Sequence, residues 1–333
     1  MQRNNSKSDQ DFPVYSINAL DIGSAFPFMI IAVIGIIGNS LVISVVRRTR
    51  NMHTTTNFLL VNLAAADIVI LLWNPRSFGF LIYSVHPRGA VGDLLCELYT
   101  GNAIISIALA AAILTLMLLA IERYNALVNT MKQFKITKQT LPFVLKGVWV
   151  LAIIISIPDF FENRFNERYQ KCLCPFSLEL VSKQKIQIAS TIICLGILPF
   201  FVLSFCYFQI LHGLFVTNTI CAGNTGVRDN IIKKKLAKLC MTVTIVFYVC
   251  FGPYAVFMLY LVTKNRQNIV QDERVFSIIL RVFEIFVTLS SSLNPMVYAF
   301  QSSSYRIGFK KILRRKTIVK PIILVKIVNQ NHE

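Results

Sequence analysis

Charge is what this chain has least of. Only 15% of its 333 residues are charged, against about 25% in an ordinary soluble domain. With 55% hydrophobic residues, a water-soluble domain of this length is a poor fit. Acids are the scarcer sign: 16 Asp+Glu stand against 34 Lys+Arg, a net charge of +18. Histidine is scarce as well. His53, His86, His212 and His332 are dispersed, make no metal-binding spacing and leave Cys172-x-Cys174 without a His partner. Neither a metal centre nor the catalytic cluster of a membrane enzyme is visible. No cleavable signal precedes the first apolar run. No internal repeat relates the two halves, which tells against a transporter built from paired broken helices.

What is present is a series of seven long apolar runs, roughly 25–46, 56–82, 94–122, 140–160, 187–212, 236–263 and 276–300. A bilayer core of about 30 Å needs about 20 apolar residues per helix. A spanning β-barrel would show short alternating strands instead. The connections are short, so the expected organisation is an extracellular segment 1–24, one membrane domain 25–300 and a cytoplasmic tail 301–333. Arg47, Arg48 and Arg50 follow the first run at once, whereas Arg3 and Lys7 before it are outnumbered by Asp9, Asp11 and Asp21. The positive-inside rule then places the N-terminus outside. With that topology nearly all of the basic excess falls on the cytosolic face, which suits anionic lipid headgroups rather than nucleic acid. Asn4-Asn5-Ser6 is an exterior glycosylation sequon at Asn4. Cys194, Cys206, Cys240 and Cys250 lie in apolar runs and read as inert small hydrophobes. Cys96, Cys172 and Cys174 lie on the oxidising side, where a disulfide can persist.

The polar residues kept inside these runs carry the functional signal, because ionisable groups in a membrane are costly and mark sites. Asp67 sits within Asn62-Leu63-Ala64-Ala65-Ala66-Asp67 in the second run. Glu122-Arg123-Tyr124 ends the third, and Asn294-Pro295-Met296-Val297-Tyr298 nearly ends the seventh. Between them come Gly38-Asn39 in the first run, Trp149 in the fourth, and Pro199 with Tyr207 in the fifth. The sixth run carries Phe247-x-x-Cys250-Phe251-Gly252-Pro253. Proline in a helix interior removes a hydrogen bond and bends the rod, so Pro199, Pro253 and Pro295 are expected at bends. This ordered set resembles the rhodopsin-like (class A) G-protein-coupled receptors over about residues 25–315. The resemblance implies an all-α, seven-transmembrane helix bundle with a short amphipathic helix eight. Tyr305, Phe309 and Ile312 share one face of that helix.

The same resemblance implies roles. Arg123 pairs with Glu122 at rest and is released to meet a heterotrimeric G protein, with Tyr124 completing the motif. Met131 is the apolar knob of the second cytosolic loop. Tyr207 and Tyr298 approach each other when helix six swings outward, and Phe247 with Phe251, which replaces a usual Trp, forms the switch above Pro253. Lys233 occupies the place of an acid that locks the arginine in some relatives, so that lock is absent. Asp67 would hold a sodium ion with Asn39, Asn294 and Ser290, but Ala112 stands where a serine usually lies. No other cofactor is implied. Cys96 would bridge to Cys172 or Cys174. The tail has few Ser or Thr beyond Ser302, Ser303, Ser304 and Thr317, so arrestin recruitment is expected to be weak, and no Cys follows helix eight for palmitoylation.

The ligand class is approached by exclusion. Thr288 stands where an opsin needs a Schiff-base lysine, and Ile105 where an amine receptor needs an aspartate. Pro75, eight residues after Asp67, and a long loop at 161–185 resemble peptide receptors. Ile157-Pro158-Asp159 and Lys235-Leu236-Ala237-Lys238 look like bombesin- or related neuropeptide-type receptors. The pocket residues implied are Arg76, Ile105, Tyr254, Met258, Arg281 and Glu284. Glu284 lies eleven positions before Pro295, roughly 16 Å nearer the outside at 1.5 Å per residue. It would pair with Arg281 one turn away or receive a cation of the ligand. The alternatives to a signalling peptide receptor at the plasma membrane are a non-signalling decoy and a membrane transporter.

Overall fold

The computed structural model describes residues 19–74, 89–95, 98, 103–128, 136–162, 164–166, 171–173, 182–216, 227–263 and 273–315. Seven helices within them are long and apolar enough to cross a membrane. Helix α1 is Ala19–Arg48, α2 Thr55–Trp73, α3 Ala103–Leu127 and α4 Leu141–Glu162. The fifth span, α5, is Lys185–Leu214. Helix α6 is Val227–Thr263, α7 Glu273–Gln301, and α8 Ser303–Arg315 follows after a single residue. Helix α3 is the hub, packing against α2, α4, α5 and α6.

Several boundaries depart from the hydropathy reading, each for a local reason. The second run was expected to reach residue 82, yet α2 stops at Trp73. Asn74 is extended, at φ −65° and ψ 112°, because a residue before proline is driven out of the α region. The third run was expected to begin at 94. Residues Ala90–Leu95 instead form a separate short helix, and α3 continues past Glu122 to Leu127. At the sixth span the helix begins at Val227, ahead of the expected 236. Its first turns carry Lys233, Lys234 and Lys235, which hydropathy discards but helix propensity favours. The all-α expectation describes the membrane bundle. Outside it, Arg164–Asn166 (β1) and Lys171–Leu173 (β2) pair antiparallel, with Phe165 opposite Cys172.

Helix starts carry their caps. The Thr54 hydroxyl accepts from the Asn57 amide at 3.3 Å ahead of α2. Before α4, the Thr137 hydroxyl accepts from the Thr140 amide at 3.2 Å and the Thr140 hydroxyl accepts from the Thr137 amide at 3.0 Å, a reciprocal cap. Pro199 does not sit in an uninterrupted α-helix. A π-helical turn, Ile192–Ile197, precedes it, and Pro199 lies in the first turn of the α-helical stretch Leu198–Leu211, where its missing N–H is tolerated. Pro253 and Pro295 lie inside helices that continue through them.

Two glycines set the distance between α1 and α7. A Cβ on Gly38 would lie 2.9 Å from Cβ and Cγ of Pro295, and one on Gly35 would collide with Ser292 and Leu71. The close approach lets the Ser292 hydroxyl donate to the Ile31 carbonyl at 2.9 Å. At the inner end, a Cβ on Gly308 of α8 would collide with Val45 of α1. The outward faces remain apolar: Phe201 is 66% exposed, Phe208 64% and Phe143 73%. Apolar surface on this scale suits lipid rather than water.

Candidate functional site

At the end of the bundle where α8 packs, Arg123 is only 8% exposed. Its guanidinium binds the carboxylate of the preceding Glu122 through two donors, Nε and Nη2. The Thr56 hydroxyl of α2 donates to the same carboxylate at 3.1 Å, so the arginine's partner is itself anchored to a second helix. Bidentate charge-assisted pairs of this kind fix geometry as well as charge. Tyr124 packs against Phe205 of α5, ring centres 5.9 Å apart and planes tilted by 56°. Tyr207 meets the Thr244 hydroxyl of α6 at 3.0 Å. Tyr298 is fully buried and stacks on Tyr305 of α8 at 5.2 Å, and its hydroxyl has no hydrogen-bond partner among the described residues. Tyr207 and Tyr298 are thus not joined in this arrangement. The side chain of Arg306 in α8 donates to the Phe300 carbonyl at 2.8 Å, satisfying an orphan carbonyl at the end of α7. Met131 lies outside the described residues.

In the middle of the bundle, Asp67 is 2% exposed and accepts from Asn294 Nδ2 at 2.7 Å. Ser291 is the serine of α7 that also hydrogen-bonds it. Ser290, expected in that place, donates to the Val287 carbonyl at 2.7 Å, within its own helix. The neighbouring bond follows from Pro295. Lacking an N–H, that proline leaves the Ser291 carbonyl without its helical donor, and Asn39 Nδ2 supplies one at 2.9 Å. Trp149 donates to Asn62 at 3.0 Å and Asn62 to Thr115 at 2.8 Å, tying α4, α2 and α3 together. Above this layer Phe247 and Phe251 stack at 5.4 Å with their planes 20° apart.

Toward the opposite end, Phe251 contacts Tyr254 at 5.8 Å, and Met258 is 3% exposed. Ile105, Arg281 and Glu284 are half-buried. The Glu284 carbonyl accepts from Thr288, and Thr288 in turn accepts from Asn74 at 2.9 Å, so the end of α2 is tied to the turn that carries Glu284. Arg76 lies outside the described residues, as do Cys96, Cys174, Asn4 and the side chain of Cys172. Sequence reasoning gave no role to Asp159. At the outer end of α4 it accepts from Gln187 of α5 at 2.7 Å and is also hydrogen-bonded by Ser106 of α3. The available signal was an acid at the end of an apolar run, beside Pro158. Thr242, Thr244 and Gln301 were also missed, because none carries a charge that would single it out within an apolar run.

Seven spans, an arginine held at the inner mouth and a half-buried acid toward the outer one define a multi-pass membrane receptor. Residues 38–298 match the family described as 7 transmembrane receptor (rhodopsin family). The chain belongs to that family, whose members are signalling receptors and not enzymes. It is 26% identical over 299 residues to a QRFP-like peptide receptor of Branchiostoma floridae, covering 86% of this chain and 76% of the relative. It is 27% identical over 305 residues to the C-C chemokine receptor type 1 of Macaca fascicularis, covering 88% and 79%. Squid rhodopsin shares the fold, with a TM-score of 0.71 at 20% identity over 90% of this chain and 86% of that one.

Proposed function

We propose that this protein is a plasma-membrane receptor, N-terminus outside, that carries the binding of an extracellular peptide to heterotrimeric G proteins. The observation that carries the reading is the bidentate Glu122–Arg123 pair on α3, largely shielded from solvent and tied to α2 through Thr56. A guanidinium held by its own neighbour can be handed to a partner without first being stripped of water. The peptide reading is supported by relatives named for a peptide and a chemokine. It is also supported by half-buried groups of both signs on α7, Arg281 and Glu284, and by the aromatic pair Phe251 and Tyr254 on α6. Glu284 receives a cation of the ligand in this reading.

A sodium ion at Asp67 fits the residues poorly. Ala112 offers no side-chain oxygen, and Asp67 Oδ2 is already bonded to the Asn294 amide. No part of the signalling reading is routed through an ion. The proposed topology also carries a disulfide from Cys96 to Cys172 or Cys174 and a glycan at Asn4. Contact with arrestin is weak. The deciding experiment is a peptide-library screen of the expressed receptor read by G-protein dissociation, followed by the same readout on Arg123→Ala. An agonist that binds yet dissociates no G protein from the unmutated receptor favours the decoy reading instead.

A further inference from the structure

Among the described residues Arg123 pairs with Glu122 and with no acid of α6, whose first turns carry Lys234, Lys235 and Lys238, all exposed. Something else holds the inner half of α6 against the bundle, and the hydroxyls of Thr242 and Thr244 are placed to do it. They are two residues apart, hence on roughly opposite sides of the helix. Thr244 faces α5, where Tyr207 meets it at 3.0 Å. Thr242 faces α7, where Gln301 Nε2 donates to it at 2.9 Å. The direction of both bonds is fixed by a second pair. Thr244 donates to the Cys240 carbonyl at 3.0 Å and Thr242 to the Lys238 carbonyl at 2.9 Å. A threonine has one proton, so each hydroxyl has spent it within α6 and can only accept from its neighbour. Tyr207 and Gln301 are therefore the donors.

We infer that Thr242 with Gln301, flanked by Thr244 with Tyr207, is a hydroxyl latch that keeps α6 closed in place of an ion pair to Arg123. The inference rests on the reading that outward movement of α6 opens the G-protein face. The latch is weaker than a buried charge pair, and it is two-sided. Outward movement of α6 breaks both bonds together, while both threonines keep their intrahelical bonds and α6 moves as an intact rod. The Gln301 amide, half-buried at the foot of α7, regains partners from water once α6 leaves. Removing the acceptor therefore penalises the closed state selectively, leaving a donor there with nothing to bind.

The test measures two things on the purified receptor in lipid nanodiscs without agonist. One is nucleotide exchange on a panel of purified heterotrimeric G proteins. The other is the distance between nitroxide labels carried by non-canonical amino acids at positions 138 and 234, at the feet of α4 and α6. Thr242→Val is expected to raise agonist-free exchange about three- to tenfold, the scale of one lost hydrogen bond, and to lengthen the label distance. Thr242→Ser keeps the acceptor and is expected to stay at the unmutated level on both. Gln301→Leu should move both in the same direction as Thr242→Val, and the double variant should add little, as coupled partners do. If Thr242→Val fails to reach the membrane, Gln301→Leu carries the test. Unchanged distance and exchange in either expressed variant, or a Thr242→Ser receptor that behaves like Thr242→Val, overturns the latch. A lengthened distance with no exchange on any G protein upholds the latch and sinks the coupling reading.

Discussion

The inner and outer halves of this bundle solve the same problem differently. Both place polar groups among apolar helices. In the inner half Arg123 is held by its own neighbour Glu122, and the ties between helices run from Glu122 to Thr56, from Tyr207 to Thr244 and from Gln301 to Thr242. In the outer half Asp159 of α4 accepts from Gln187 of α5, Glu284 is half-buried on α7, and Phe251 and Tyr254 meet on α6. In the proposed function the inner network consists of bonds that a moving α6 exchanges for others, and the outer half offers charge and rings to the ligand. That reading separates a surface that switches from a surface that recognises.

The largest effect expected belongs to the inner half. Arg123→Ala should abolish agonist-stimulated nucleotide exchange while agonist binding persists; normal exchange at matched surface expression would break the division. Next is the seam that holds both halves together. Gly38→Leu forces a side chain into Pro295, and overpacking of this kind costs about 1–3 kcal/mol. A lowered melting temperature in detergent, with loss at the surface, is the expected readout, and an unshifted melting curve would mean that α1 is free to move away. In the outer half, Glu284→Gln should lower the potency of an agonist by at least about tenfold, which is about 1.4 kcal/mol. Trimming the ligand's cation should then cost little further in that mutant. Unchanged potency would leave Glu284 a structural acid. The smallest effect is Tyr305→Phe, which removes a long bond from Tyr305 to Asn57 at 3.4 Å but keeps the stack on Tyr298. A loss under about 1 kcal/mol is expected, seen as a small shift in melting. A large loss would make α8 part of the inner network.

The chain by itself determined the seven spans and their order, because apolar length follows directly from the cost of dehydrating charge; its basic flanks also carry the proposed direction in the membrane. It also marked Asp67, Arg123, Asn294 and Tyr298, since polar groups in an apolar run stand out. It did not locate the end of α2 at Asn74, although Pro75 was readable as the cause, nor the lysine-bearing first turns of α6. Only the tertiary structure decided which serine of α7 bonds Asp67, that Asn39 serves the carbonyl that Pro295 leaves bare, and that Thr242 and Thr244 accept bonds from opposite neighbours. Those outcomes depend on helix rotation and on the close approach at Gly35 and Gly38. Rotation is set by packing against several other helices at once, and no single run of residues records it.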